Sequence, residues 1–300
     1  MSTLHMRMMP FQAILRHDLR TLWESRLVRL WLVATALVTL ILMVSNWGQF
    51  QSAPLVASLL FPYLVFPWFL VVMVLGVNPV SGSRAEVLAD GFLSRPVTRY
   101  EYLLATWSAR VVLVLGVYLV VMVPAILVVV LADRPVPDDK LTLYGILGSL
   151  AVVGLVLVFL VSLGFLLGVL LRKPLLAVVL LVFIWFPINL VLNIFSLEEF
   201  SPISLNQAIP TLLRQPWAEA QGDSVSANTD QDLEALSRQA AHFMSVLSGG
   251  PPEQPVTQTP AFFNRDQFRD FSLPRVVMGY GIPTLLAVGL ATICFCRRDL

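Results

Sequence analysis

Residues 83–102 read SRAEVLADGFLSRPVTRYEY, a densely charged stretch set between two lengths of chain that carry no charge. From Leu30 to Ser83 there is no Asp, Glu, Lys or Arg, and from Val111 to Leu131 there is again none. Crossing roughly 30 Å of hydrocarbon at about 1.5 Å per residue takes about 20 apolar residues, and both flanks reach that length. In lipid the backbone must satisfy its own hydrogen bonds, so such unbroken runs are helices and not strands. Six segments qualify as spans: 28–47, 54–77, 111–132, 142–171, 175–197 and 276–296. The expected fold is therefore all-α, a polytopic integral membrane protein with six transmembrane helices.

Composition agrees. Apolar side chains make up 57% and charged ones 13% of the 300 residues, with a mean hydropathy of +0.78. Soluble chains average about 45–50% apolar and about 25% charged. The net charge of +1 says little, but its distribution orients the chain. Thirteen of the twenty Lys and Arg fall before the first span, around the insert, at Arg172 and Lys173, or at Arg297 and Arg298. The short loops on the opposite side hold only Arg134 and Lys140. By the positive-inside rule both termini are cytoplasmic. The first apolar run is long enough to span and lacks a small-x-small cleavage site, so it reads as a span and not as a cleaved leader.

Four regions follow. Residues 1–27 form a cytoplasmic amphipathic interfacial helix, with Phe11, Ile14, Leu15, Leu19, Leu22, Trp23 and Leu27 on one face of 11–27 and Arg16, His17, Asp18, Arg20 and Glu24 on the other. Residues 28–197 carry spans one to five, including a cytoplasmic insert at 78–110. Residues 198–275 are extracytoplasmic, with a helix expected over 232–247 and a Pro-rich linker over 248–261. Residues 276–300 supply the last span and a cytoplasmic end. Pro62, Pro67, Pro124, Pro187 and Pro283 lie inside spans and should kink them. Gly164 and Gly168 give a small-xxx-small face that suits close packing inside the bundle.

Within the insert, Ser83 with Glu86 and Thr98 with Glu101 have the spacing of two capping boxes. They predict a short helix over 84–93, a turn at Ser94-Arg95-Pro96, and a second helix that runs from Arg99 into the third span. Pro96 disfavours helix at Arg95, which fixes the break. A push on the short helix would then reach a membrane span with little flexible chain to absorb it. A well-capped loop that merely sets topology fits these residues equally well.

The segment Leu93-Ser94-Arg95-Pro96-Val97-Thr98-Arg99-Tyr100-Glu101-Tyr102-Leu103-Leu104, preceded by the Ser83–Gly91 helix, resembles the cytoplasmic segment of ABC-2-type transporter permeases. The charged N-terminal helix (AILRHDLRTLWESRL) and the terminal Phe295-Cys296-Arg297-Arg298-Asp299-Leu300 are similar to that family as well. Six spans, two cytoplasmic ends and a large outer segment before the last span complete the likeness. The resemblance implies an insert that docks on a separate ATP-binding cassette ATPase subunit, with two permease copies facing each other. The coupling residues it implies are Arg84, Glu86, Leu88, Phe92, Leu93, Arg95, Pro96, Thr98, Arg99 and Glu101. One departure is visible, since members often carry a Lys where this chain has Thr106.

The chain itself lacks a G-x-x-x-x-G-K-[ST] phosphate loop; its only lysines are Lys140 and Lys173. No Asp, Glu, Lys or His stands at mid-membrane in the expected spans, which counts against an ion-coupled carrier. With His only at 5, 17 and 242, neither a metal cluster nor a His-based triad assembles at depth. Cys294 and Cys296 point to different helix faces and read as packing thiols. Of the few polar residues in spans, Tyr118 and Ser162 suit interhelical hydrogen bonds. Asn189 and Asn193, one turn apart on the outer half of the fifth span, either do the same or line an exit path.

The expected function is the permease subunit of an ATP-driven export system in the inner membrane, with no enzymatic activity, no cofactor and no nucleic-acid partner. So apolar a pathway favours an amphipathic or lipid-like cargo. The competing expectation is a non-transporting membrane anchor or assembly factor acting through 198–275.

Overall fold

The computed structural model describes residues 3–65, 67–77, 98–132, 141–171, 175–183, 201–214 and 273–297. The regular elements among them are helices: α1 (Thr3–Glu24), α2 (Arg26–Asn46), α3 (Ser52–Leu64), α4 (Trp68–Val77), α5 (Arg99–Leu131), α6 (Leu143–Leu170), α7 (Pro202–Leu213) and α8 (Leu273–Arg297). Residues 175–183 are helical too. By length and composition five helical stretches could cross a membrane: α2, α3 with α4, α5, α6 and α8. They match five of the six expected spans. The sixth, 175–197, lies mostly outside the described residues, as do the expected helices at 84–93 and 232–247 and the linker at 248–261.

One boundary differs from expectation. The N-terminal helix stops at Glu24, not at residue 27, because Ser25 leaves the helix and its Oγ accepts from the Val28 N–H at 3.3 Å. A hydroxyl in that position caps a new helix, so Leu27 belongs to α2. The helix expected to run from Arg99 into the third span is there, as one continuous helix with Pro124 accommodated inside it. Pro283 is likewise inside an unbroken α8. The second span does break, between Leu64 and Trp68, where Pro67 has no N–H to give to the ladder.

α6 is the spine of the bundle. Its interior face, from Gly145 through Leu157 to Val169, is buried against α4, α5, α7 and α8. α2 buries only Val28, Trp31, Thr35 and Thr39, one residue per turn, and leaves Leu30, Val33, Leu40 and Val44 more than 60% exposed. Such an apolar outer face is stable against hydrocarbon and not against water.

Contacts sort the chain into two ends. Tyr102 near the start of α5 stacks on Phe295 near the end of α8, and Val77 at the end of α4 meets Gly168 near the end of α6. At the opposite end, Thr142 before α6 donates its N–H to Leu213 at the end of α7, and Leu273 at the start of α8 approaches Gly148. Residue 171 therefore stands at one end and residue 201 at the other. The end of α4, the start of α5, the end of α6 and the end of α8 share the first end, which we call the base.

Candidate functional site

The base is built around the first three turns of α5. Thr98 and Glu101 form the expected capping box: the Glu101 N–H donates to Thr98 Oγ1 at 3.4 Å, and the Thr98 N–H donates to Glu101 Oε2 at 3.1 Å. Each satisfies a helix-end donor that would otherwise have no partner. The exit from the insert is thus pinned, with no loose residue between Thr98 and the span.

Above the cap, Leu103 is buried with Phe165 and Val169 of α6 and with Ala291 and Phe295 of α8. Tyr102 stacks on Phe295 with centroids 6.5 Å apart. One turn further on, Trp107 Nε1 donates to Ser162 Oγ at 3.0 Å, and Ser162 passes its own proton to Val158 O at 2.7 Å. Tyr118, edge-on to Tyr63 at 5.0 Å, donates to the Leu150 carbonyl at 3.4 Å. Ser162 and Tyr118 therefore supply the interhelical hydrogen bonds expected of them.

Arg110 is the residue that sequence reasoning placed wrongly in kind. Counted as the last cation of the insert, it is instead 3% exposed and inside the span. It lies eleven residues after Arg99, about 16 Å along the helix axis. Its Nη1 donates to the Thr106 carbonyl at 2.6 Å, and its guanidinium carbon sits 5.7 Å over the Phe165 ring. A buried cation is costly unless hydrogen bonds, charge or a π face replace its water. Here the Thr106 carbonyl of α5 and the Phe165 ring of α6 do so in part, while Nε has no hydrogen-bond partner among the described residues, so Arg110 ties α5 to α6 at this point. Thr106 is buried, and the Arg110 guanidinium folds back onto its carbonyl.

α4, which enters the insert, is fastened differently. A Cβ built on Gly76 would lie 2.8 Å from Val161 O, on Gly164 2.8 Å from Met73 O, and on Gly168 2.6 Å from Val77 O. No side chain fits in such gaps, so α4 and α6 touch backbone to backbone. The Gly164–Gly168 face is a packing surface within the bundle, and Gly76 is its partner. Among the described residues no three His, Cys, Asp or Glu side chains gather, and Cys294 and Cys296 are free, half-buried thiols. The two helices that flank the insert in sequence are both seated on a third.

Residues 90–300, more than two thirds of the chain, match the family described as ABC-2 family transporter protein. The chain belongs to the ABC-2 transporter family. Its members are membrane permeases without an ATPase domain of their own, and they work with ATP-binding cassette subunits. No curated protein matches the permease. Of the coupling residues implied by resemblance, Thr98 and Glu101 are the box just described, and Arg99 opens α5. Arg84, Glu86, Leu88, Phe92, Leu93, Arg95 and Pro96 lie outside the described residues, as do Asn189 and Asn193.

Proposed function

We propose that the permease is the membrane half of an ATP-driven exporter, and that its 78–110 insert receives the stroke of a separate ATP-binding subunit. The supporting observation is that α4 and α5, the helices on either side of the insert, are both seated on α6, with Thr98 capped directly into the span. Movement of the insert then has no slack to be lost in before it reaches the bundle. In this reading Arg84, Glu86, Leu88, Phe92, Leu93, Arg95, Pro96, Thr98, Arg99 and Glu101 make or brace the contact. Two permease copies face each other in the inner membrane, with both termini in the cytoplasm. The cargo moves outward past an apolar wall, with Asn189 and Asn193 near the exit, which suits an amphipathic or lipid-like molecule.

Charge reversal at Arg95→Glu with Arg99→Glu tests the coupling role. The double variant should insert normally yet fail to co-purify with the ATP-binding subunit or to stimulate its ATP turnover. Retained binding and stimulation would sink the role assigned to the insert. Labelling of a cysteine at position 95 from the outer side alone would sink the topology beneath it.

A further inference from the structure

A groove of about 470 Å³ opens between α1, α2 and α5, away from the insert. Its wall is hydrocarbon, supplied by Leu32 of α2 and the Val112–Val120 face of α5. Its mouth is not: Arg16, Arg20 and Trp23 of α1 stand there. The volume falls within the range of sites that hold small molecules, about 300–1,000 Å³. The middle of the groove is open because residue 116 is Gly; a Cβ built there would meet nothing within 4 Å.

The charges at the mouth are one-sided. Asp18, on the same helix, does not line the groove. Glu24 takes the Nε–H of Arg20 at 3.0 Å, with both side chains well exposed, and leaves the Nη groups. Among the described residues no acidic side chain lines the groove itself. Two guanidinium forks above an apolar trough are complementary to a molecule with an anionic head and a hydrocarbon tail. Trp at the junction suits the boundary between headgroups and acyl chains. A soluble anion would leave the trough unused, and the outward faces of α2 beside it, with Leu30 and Val33 exposed, open toward lipid.

We propose that this groove seats one anionic phospholipid taken from the surrounding bilayer. Its phosphate is held by Arg16 and Arg20, and one acyl chain lies along α5 across Gly116. The bound lipid fastens α1 over the seam between α2 and α5. This site is independent of the transport cycle proposed above and stands or falls separately.

The test uses the full-length permease in detergent, with native mass spectrometry and thermal melting in the presence of phosphatidylglycerol, phosphatidylcholine or inorganic phosphate. The parent should retain one phosphatidylglycerol with roughly 30-fold preference over phosphatidylcholine, the value expected of two basic side chains near an anionic surface. Arg16→Gln with Arg20→Gln, at exposed positions where folding is not at stake, should bring that preference close to one. Gly116→Phe should fill the trough and weaken phosphatidylglycerol retention about tenfold with the arginines intact. Equal retention of both lipids by the parent, or an unchanged preference in the double Gln variant, would overturn the proposal. Stabilisation by inorganic phosphate equal to that by phosphatidylglycerol would mean a soluble-anion site. A Val120→Cys variant that forms a disulfide with a second copy would mean that another permease covers the groove.

Discussion

α4 and α5 leave the same insert and lie on the same helix, yet they are attached by opposite means. The α4–α6 seam is made of missing side chains: Gly76, Gly164 and Gly168 let backbones touch at distances where a methyl group would collide. The α5–α6 seam is made of large ones: Trp107 reaching Ser162, Arg110 over Phe165, Tyr118 reaching the Leu150 carbonyl. Close-packed backbones have a single working geometry, and any displacement produces a clash or a void. Long side chains can change rotamer and exchange partners at small cost. The difference assigns the two helices different parts. α4 is fixed to α6, while the α5 seam can adjust; under the coupling proposed above, α5 is the helix that shifts.

Breaking the rigid seam should have the largest effect. Gly168→Leu places a branched side chain where even a Cβ lies 2.6 Å from Val77 O, so destabilisation of about 3 kcal/mol or more is expected. Size-exclusion elution and the Tm of the purified permease read it out. A Leu variant that elutes and melts like the parent would show that the seam is looser than its backbone distances imply.

Next in size is the junction at Arg110. Arg110→Met keeps the volume but removes the cation over Phe165, and Phe165→Leu removes the ring. Each single change should cost about 1–2 kcal/mol, and the double variant should cost clearly less than their sum, with a coupling of about 1 kcal/mol. Additive Tm losses would mean that this contact does not join α5 to α6.

The adjustable seam should be more forgiving. Trp107→Phe and Ser162→Ala each remove one interhelical hydrogen bond, expected at about 0.6–1 kcal/mol. If α5 is the moving helix, these variants should also change ATP turnover coupling more than their small Tm shifts suggest. Equal or greater coupling loss from Gly76→Ala would reverse the assignment of fixed and moving helices. The smallest effect is expected at Gly116→Ala, where the added methyl meets nothing. It should raise stability by about 0.5–1 kcal/mol through helix propensity alone, against the sign at Gly164 and Gly168.

These glycines also mark how far the sequence could be read. Spans, the Thr98–Glu101 box and the Gly164–Gly168 face are local patterns, so runs and spacings were enough to find them. Gly76 was not legible, because its role depends on a partner about ninety residues away, and no local period encodes that pairing. Arg110 was counted with the insert because charge counting ends a span at the first cation; what no spacing showed is that the expected helix from Arg99 buries it against Phe165. The break at Ser25 was missed because the apolar stripe runs on through Leu27 and no Glu or Gln stands at Val28 to complete a capping box. The insert's docking residues before Thr98 and the pair Asn189 and Asn193 rest on resemblance and position.

One contact at the far end bears on all of this. A Cβ at Gly145 would run into the Leu212 and Leu213 carbonyls of α7, and Thr142 gives both its N–H and its hydroxyl proton to Leu213 O. α6 is therefore pegged at its first turn by α7 as firmly as it is gripped at its last turns by α4. A rod held at both tips neither slides nor tilts. With α4 locked to one tip and α7 to the other, α6 is the axle of a braced three-helix unit.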